Sequence, residues 1–140
     1  METDQVISEA GLRRRIESKR AVAMAMVGDR EHCREAWVAA GFAVELAVKA
    51  LIVRQRQLGF FPSKDAAPEL HIHNLRRLMI EYAGLNLAQA PASSRASIRQ
   101  ALDWERRHDY FEAPMSRKAA RSMVDAAFGE NGVVQWLNSL

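Results

Sequence analysis

The stretch Trp37–Arg54, WVAAGFAVELAVKALIVR, is a long apolar run that contains one acid, Glu45, and one base, Lys49, four residues apart. A strand does not run this long, and a run interrupted by charges is a poor bilayer span. The run therefore predicts a helix buried nearly all round, with an acid–base pair on one face. A helix apolar on every side needs neighbours on every side. The expected architecture is an all-α bundle of about five helices wrapped around this long central one.

At 140 residues the chain is one domain long, and a single domain over residues 1–140 is expected. Its 49% hydrophobic and 26% charged residues are those of an ordinary globule that can bury a core without staples. Cys33 is the only cysteine and cannot form an internal disulfide, which fits a reducing cytoplasm. His32 adjoins it in sequence, but helical neighbours i and i+1 do not face each other, so Cys33 reads as a structural thiol. The opening METDQVISEAGLRRR lacks the apolar core of a secretory signal. No stretch of about 20 apolar residues is evident, so no membrane association is expected. The net charge is +3, with Arg well in excess of Lys. Arg suits phosphate or carboxylate recognition, yet a charge this mild also fits a plain solvated surface.

The periodicity predicts a first helix from Asp4 to Val27, with Gly11 placed to fray or break its start. Gly28 and Asp29 form a turn, with Asp29 as N-cap of a second helix over Arg30–Leu58 that Gly59 stops. Gly41 lies where a crossing helix can approach closely, or is simply tolerated there. After a loop from Phe60 to Leu70, a third helix over His73–Tyr82 points Leu75, Leu78 and Met79 inward and Arg76 and Arg77 outward, and Gly84 ends it. Ser93 or Ser94 caps a fourth over Arg95–Arg107, with Trp104 facing in. His108–Pro114 is irregular and aromatic. Helices over Ser116–Ala127 and Val133–Leu137 close the chain, separated by Gly129 and Gly132. No segment alternates as a half-buried strand does.

Three constellations carry chemistry. Glu45 precedes Lys49 by four residues, the favourable order for a helical ion pair; in this apolar setting it reads as a buried or half-buried structural pair, the alternative being a ligand-binding or catalytic carboxylate. His71-Ile72-His73 has i,i+2 spacing that suits a metal only on an extended segment, and no further ligands accompany it. The simpler reading has His73 and Asn74 satisfying free backbone groups at the start of the third helix. The segment Trp104-Glu-Arg-Arg-His-Asp-Tyr110 places Arg106, Arg107 and His108 where they can hold a phosphate, with Tyr110 alongside and Arg76 and Arg77 as a second basic patch. An imidazole can also give or take a proton near neutral pH. The alternative is that the aromatics pack and the charges face water. Walker, dinucleotide-glycine, HExxH and nucleophile-elbow patterns are absent, and neither a metal nor a cofactor is expected.

The run AVELAVKALI (Ala43–Ile52), the segment Pro68-x-x-His71-x-His73-Asn74-Leu75, the Arg-rich fourth helix leading to a Tyr and the closing helix together resemble the HEPN family (higher eukaryotes and prokaryotes nucleotide-binding). The resemblance runs from about Arg20 to Leu137. It implies a small helical bundle, usually a homodimer. It also implies either a metal-independent endoribonuclease, often a toxin paired with a nucleotidyltransferase antitoxin, or a noncatalytic relative that binds protein, nucleotide or RNA. The family's catalytic signature is Arg, four to six spacers, then His-x-Tyr. His108-Asp109-Tyr110 matches its end, but the positions open to the Arg hold Ala101, Leu102 and Asp103, while Arg106 and Arg107 lie too close and Arg99 too far. An acid at 103 repels the phosphate that the family's Arg attracts. The resemblance thus implies the noncatalytic branch, a dimeric binding module in a toxin–antitoxin or defence setting. Two alternatives remain: a divergent ribonuclease using His108 with Arg106 or Arg107, and a structural partner with no ligand.

Overall fold

The computed structural model describes residues 6–140. The described residues form an all-α bundle of five helices: α1 (Glu9–Met26), α2 (Cys33–Gln55), α3 (Arg95–Leu102), α4 (Arg117–Phe128) and α5 (Val133–Ser139). Sixteen of the 23 residues of α2 are buried, and α1, α4 and α5 pack against it. Its alanines at 36, 40, 43, 47 and 50 are nearly or wholly inaccessible and let neighbouring backbones come close, while Val44, Val48, Leu51 and Ile52 fill the space between. By length and hydropathy alone α2 could cross a membrane, which is less strict than the sequence expectation, but 83% of its apolar window is buried inside the protein.

The expected start of α1 at Asp4 lies outside the described residues. Helix begins at Glu9 because Ile7–Ser8 is extended and pairs antiparallel with Phe60–Phe61, Ile7 opposite Phe61. These are β1 and β2, a two-residue ladder too short for any alternation to mark. Ser8 caps α1, its hydroxyl accepting from the Gly11 amide at 3.0 Å. A β-carbon on Gly11 would lie 2.7 Å from Ile7 Cγ1, so this glycine lets Ile7 fold over the first turn rather than breaking the helix.

Helix α2 starts three residues later than expected. Asp29 does not cap it; its carboxylate accepts from the Glu31 amide at 2.9 Å and contacts the His32 ring, closing the preceding turn. The helix also ends early, before Gly59. Gln57 takes a left-handed conformation (φ 54°), the Leu58 amide donates to Val53 O and the Gln57 amide to Arg54 O, a Schellman stop. In the last turn before it, Arg54 reaches Glu9 at 2.8 Å and the Leu137 carbonyl at 3.1 Å, joining α1, α2 and α5. The Arg54 and Arg13 guanidiniums hold the Glu9 carboxyl below its ordinary pKa.

The third helical segment starts at Leu75, with Asn74 accepting from the Arg77 amide at 3.0 Å, and widens to a π-helix over Arg77–Tyr82 before Gly84 (φ 65°) turns the chain. Leu75, Leu78 and Met79 are buried, and Arg76 and Arg77 exposed. Ser94 precedes α3 without a side-chain cap bond, and α3 stops at Leu102, five residues short of the expected end. The cause is Trp104. A β-carbon at residue 41 would lie 1.9 Å from Trp104 Cε2, so Gly41 is a seat for an indole ring rather than for a crossing helix. Trp104 Nε1 donates to the Trp37 carbonyl at 3.2 Å, and a continuing helix could not deliver the ring to this place. The chain then makes a 3-10 turn over Arg106–Tyr110 and reaches α4, where the Ser116 hydroxyl accepts from the Ala119 amide at 3.1 Å.

Candidate anion-binding site

Glu45 lies in the middle of α2 with 3% of its surface exposed. A carboxylate there needs donors. Lys49 Nζ donates to Oε2 at 3.2 Å and also lies 5.3 Å from the centre of the Phe61 ring. One ammonium leaves the other oxygen wanting, and His73 Nδ1 meets Oε1 at 2.8 Å. On its far side, His73 Nε2 is 2.9 Å from Arg106 Nη1. A guanidinium can only donate, so Nε2 accepts and the ring proton resides on Nδ1, pointing at Glu45. The relay from the interior is therefore Lys49, Glu45, His73, Arg106. His73 thus serves Glu45 rather than the start of the third segment, which is the work of Asn74 alone.

Arg106 lines a cleft of about 380 Å³ together with His73, Asn74, Arg76, Trp104, Glu105 and Arg107. Its guanidinium stacks 4.8 Å from the centre of the Phe42 ring, and Lys19 of α1 approaches the same ring at 5.5 Å. Arg107 is paired with Glu105, and Arg76 has no side-chain partner among the described residues. Three guanidiniums against one carboxylate, Glu105, beside an oriented imidazole leave the pocket net cationic and chemically suited to a phosphate.

The remaining sequence candidates separate from this group. Arg77 turns to Glu81 at 3.0 Å and to the Tyr82 hydroxyl at 3.1 Å; the Glu81 carboxylate raises its pKa further. His108 lies on the opposite side of the turn from Arg106, its ring 5.6 Å from Trp37 and 4.9 Å from Phe111, in a second cavity of about 360 Å³. Tyr110 is exposed to 81%. His71 points away from His73 and bonds the Pro62 carbonyl at 2.8 Å. The described residues bring no three His, Cys, Asp or Glu side chains into a metal-holding group. Cys33 is buried, with Sγ 3.3 Å from the Met115 carbonyl.

Arg34 was not singled out by the sequence. Its guanidinium donates to the carbonyls of His108 and Asp109 at 3.4 Å and to those of Phe111 and Ala113, holding the end of the 3-10 turn and the irregular segment after it. Neither its part nor that of His73 has a local signature. The available clue was stoichiometric: one lysine cannot saturate a buried carboxylate. No protein family, curated protein or solved structure matches the chain.

Proposed function

We propose that this chain is a noncatalytic, HEPN-like binding module that, as a homodimer, takes a phosphate of RNA or of a nucleotide in the cleft of His73, Arg76, Arg106 and Arg107. The observation that carries the reading is the relay from buried Glu45 through His73 to Arg106, which ties a surface cation to the core at 2.8 and 2.9 Å. A surface arginine of no consequence does not need such anchoring. A preorganised cation gives up little side-chain freedom when an anion arrives. The dimer and a nucleotidyltransferase-type protein partner rest on the family resemblance. Exposed Val22 and Met24 on α1 and Ile80 on the π-helix offer apolar surface for such contacts.

The test is binding of a fluorescent single-stranded RNA across a salt series. Affinity should fall steeply with salt, and Arg76→Ala, Arg106→Ala and Arg107→Ala should each weaken binding and flatten the salt slope by about 0.7 per lost contact. Binding that ignores salt and all three substitutions would leave the structural-partner alternative in its place. Light scattering of the purified protein reads the dimer directly.

A second reading, a metal-independent endoribonuclease, draws support from the same relay. An imidazole whose Nδ1–H is held by a carboxylate becomes a general base for a 2′-hydroxyl once Arg106 leaves Nε2 for the phosphate. The geometry favours His73 over His108 in that role, because Arg106 meets His73 and not His108. Cleavage of structured RNA in EDTA, abolished by His73→Ala and kept by His108→Ala, would establish this reading over the noncatalytic one.

A further inference from the structure

The turn Arg106–Tyr110 has a cavity on each side, and both hold chemistry that one ligand can use. In a 3-10 helix successive side chains are about 120° apart and residues i and i+3 eclipse. Arg106 and Arg107 therefore leave the turn on faces different from that of His108, and His108 comes into register with Phe111, whose ring centre lies 4.9 Å away. Beneath this pair a ladder of rings runs inward: His108 to Trp37 at 5.6 Å, Trp37 to Trp104 at 5.4 Å, Trp104 to Phe42 at 5.9 Å and Phe42 to His73 at 6.1 Å. The ladder links the two cavities, and Arg34 grips the carbonyls between them, so their separation is set.

Resting on the phosphate reading above, we propose that the turn divides a single subsite for unpaired RNA. The phosphate sits on the Arg106 and Arg107 side, and the adjoining base stacks on Phe111 and His108 in the second cavity. That cavity presents Arg34, Trp37, His108, Phe111 and Met115, and no carboxylate among its lining residues. Glu105, 3.8 Å from His108 Nε2, is paired with Arg107, and Asp109 and Glu112 flank the two rings in sequence and are exposed. Phe111 is 53% exposed and Arg34 bonds its carbonyl, so an apolar ring is left uncovered next to a cation. Base stacking on an aromatic ring tolerates any sequence and requires an unpaired base, so the occupant is single-stranded.

The experiment compares three probes on the intact chain: an RNA octamer, the same octamer with abasic sugars, and inorganic pyrophosphate. The octamer should bind about tenfold more tightly than its abasic counterpart, and Phe111→Ala should remove that advantage while leaving pyrophosphate affinity unchanged. Phe111→Trp should restore it. Trp37, under the stack, should change its fluorescence with the octamer and not with pyrophosphate, and Trp37→Phe identifies that signal. A Phe111→Ala protein that binds the octamer as wild type does, or loses pyrophosphate equally, overturns the base subsite. So does duplex RNA binding as tightly as the octamer. If instead Arg106→Ala/Arg107→Ala leaves pyrophosphate and octamer untouched, the phosphate reading itself falls, and the two failures are told apart.

Discussion

Trp104 occupies the volume that a side chain at residue 41 would need: a β-carbon on Gly41 would lie 1.9 Å from Cε2 and 2.2 Å from Nε1 of the indole. The contact ends α3, turns the chain toward Arg106 and puts Trp104 in the lining of the cleft. A change at Gly41 should therefore reach the site without touching it.

Gly41→Ala should destabilise the protein by about 1–3 kcal/mol, because the ring must leave its seat or α2 must shift. Urea unfolding gives the value. The same variant should bind phosphate more weakly, since Arg106 follows Trp104 by two residues. A wild-type unfolding midpoint would mean that the indole does not lie on α2.

Glu45 and Lys49 should show strong non-additivity. Each is buried, so Lys49→Ala strands a carboxylate and Glu45→Ala strands an ammonium, and each single change should lose about 3–5 kcal/mol. His73 still donates to Glu45 when Lys49 is gone, so Lys49→Ala should be the milder of the two. Replacing both by Leu or Met should be less harmful than either single loss. Additive losses across the double-mutant cycle would place the pair in water.

The turn between α1 and α2 should titrate. The Asp29 carboxylate, hydrogen-bonded to the ring, raises the His32 pKa above its ordinary 6.5, and the ring and the Glu31 amide lower the Asp29 pKa below 3.8. The histidine's contribution to stability is full below the unfolded imidazole value and fades as pH rises through the folded one. The aspartate's is full above the unfolded carboxylate value and fades as pH falls through the folded one. Both are present together between about 3.8 and 6.5. NMR titration of His32 should move down toward the ordinary value in Asp29→Asn, with Glu31 and Glu35 still raising it, and an unshifted wild-type ring would contradict the contact. Both groups are exposed, so the melting temperature should move little.

Gln57→Gly should stabilise the chain by about 1 kcal/mol. Gln57 holds φ at 54°, a region where an L side chain is strained and glycine is not. Its amide bond to Arg54 O survives the substitution. Thermal unfolding would show the gain; a loss would mean that the glutamine side chain contributes something its backbone geometry does not reveal.

The legible parts of this molecule were those written in local pattern. Apolar positions on every face of Trp37–Arg54 called for a central helix, Gly84 marked the end of the third segment, and the inward set Leu75, Leu78 and Met79 followed from spacing. Terminal residues were less legible because stops are chosen by partners. Gln57, not Gly59, ends α2, and Trp104 ends α3 by binding elsewhere. The basic composition of the Trp104–Tyr110 segment drew attention to the right stretch of chain, and pairing within it by sequence distance joined Arg106 to His108.

By itself, then, the sequence determined a helical bundle around one buried helix and the presence in it of an acid, since hydrophobic periodicity acts over a few residues and needs no knowledge of the rest of the chain. Only the tertiary structure decided what that acid does. Glu45 and His73 are 28 positions apart and His73 and Arg106 another 33, and no local rule connects residues whose meeting depends on how the helices pack. A buried carboxylate must find its donors somewhere, and where the fold supplied them became the candidate site.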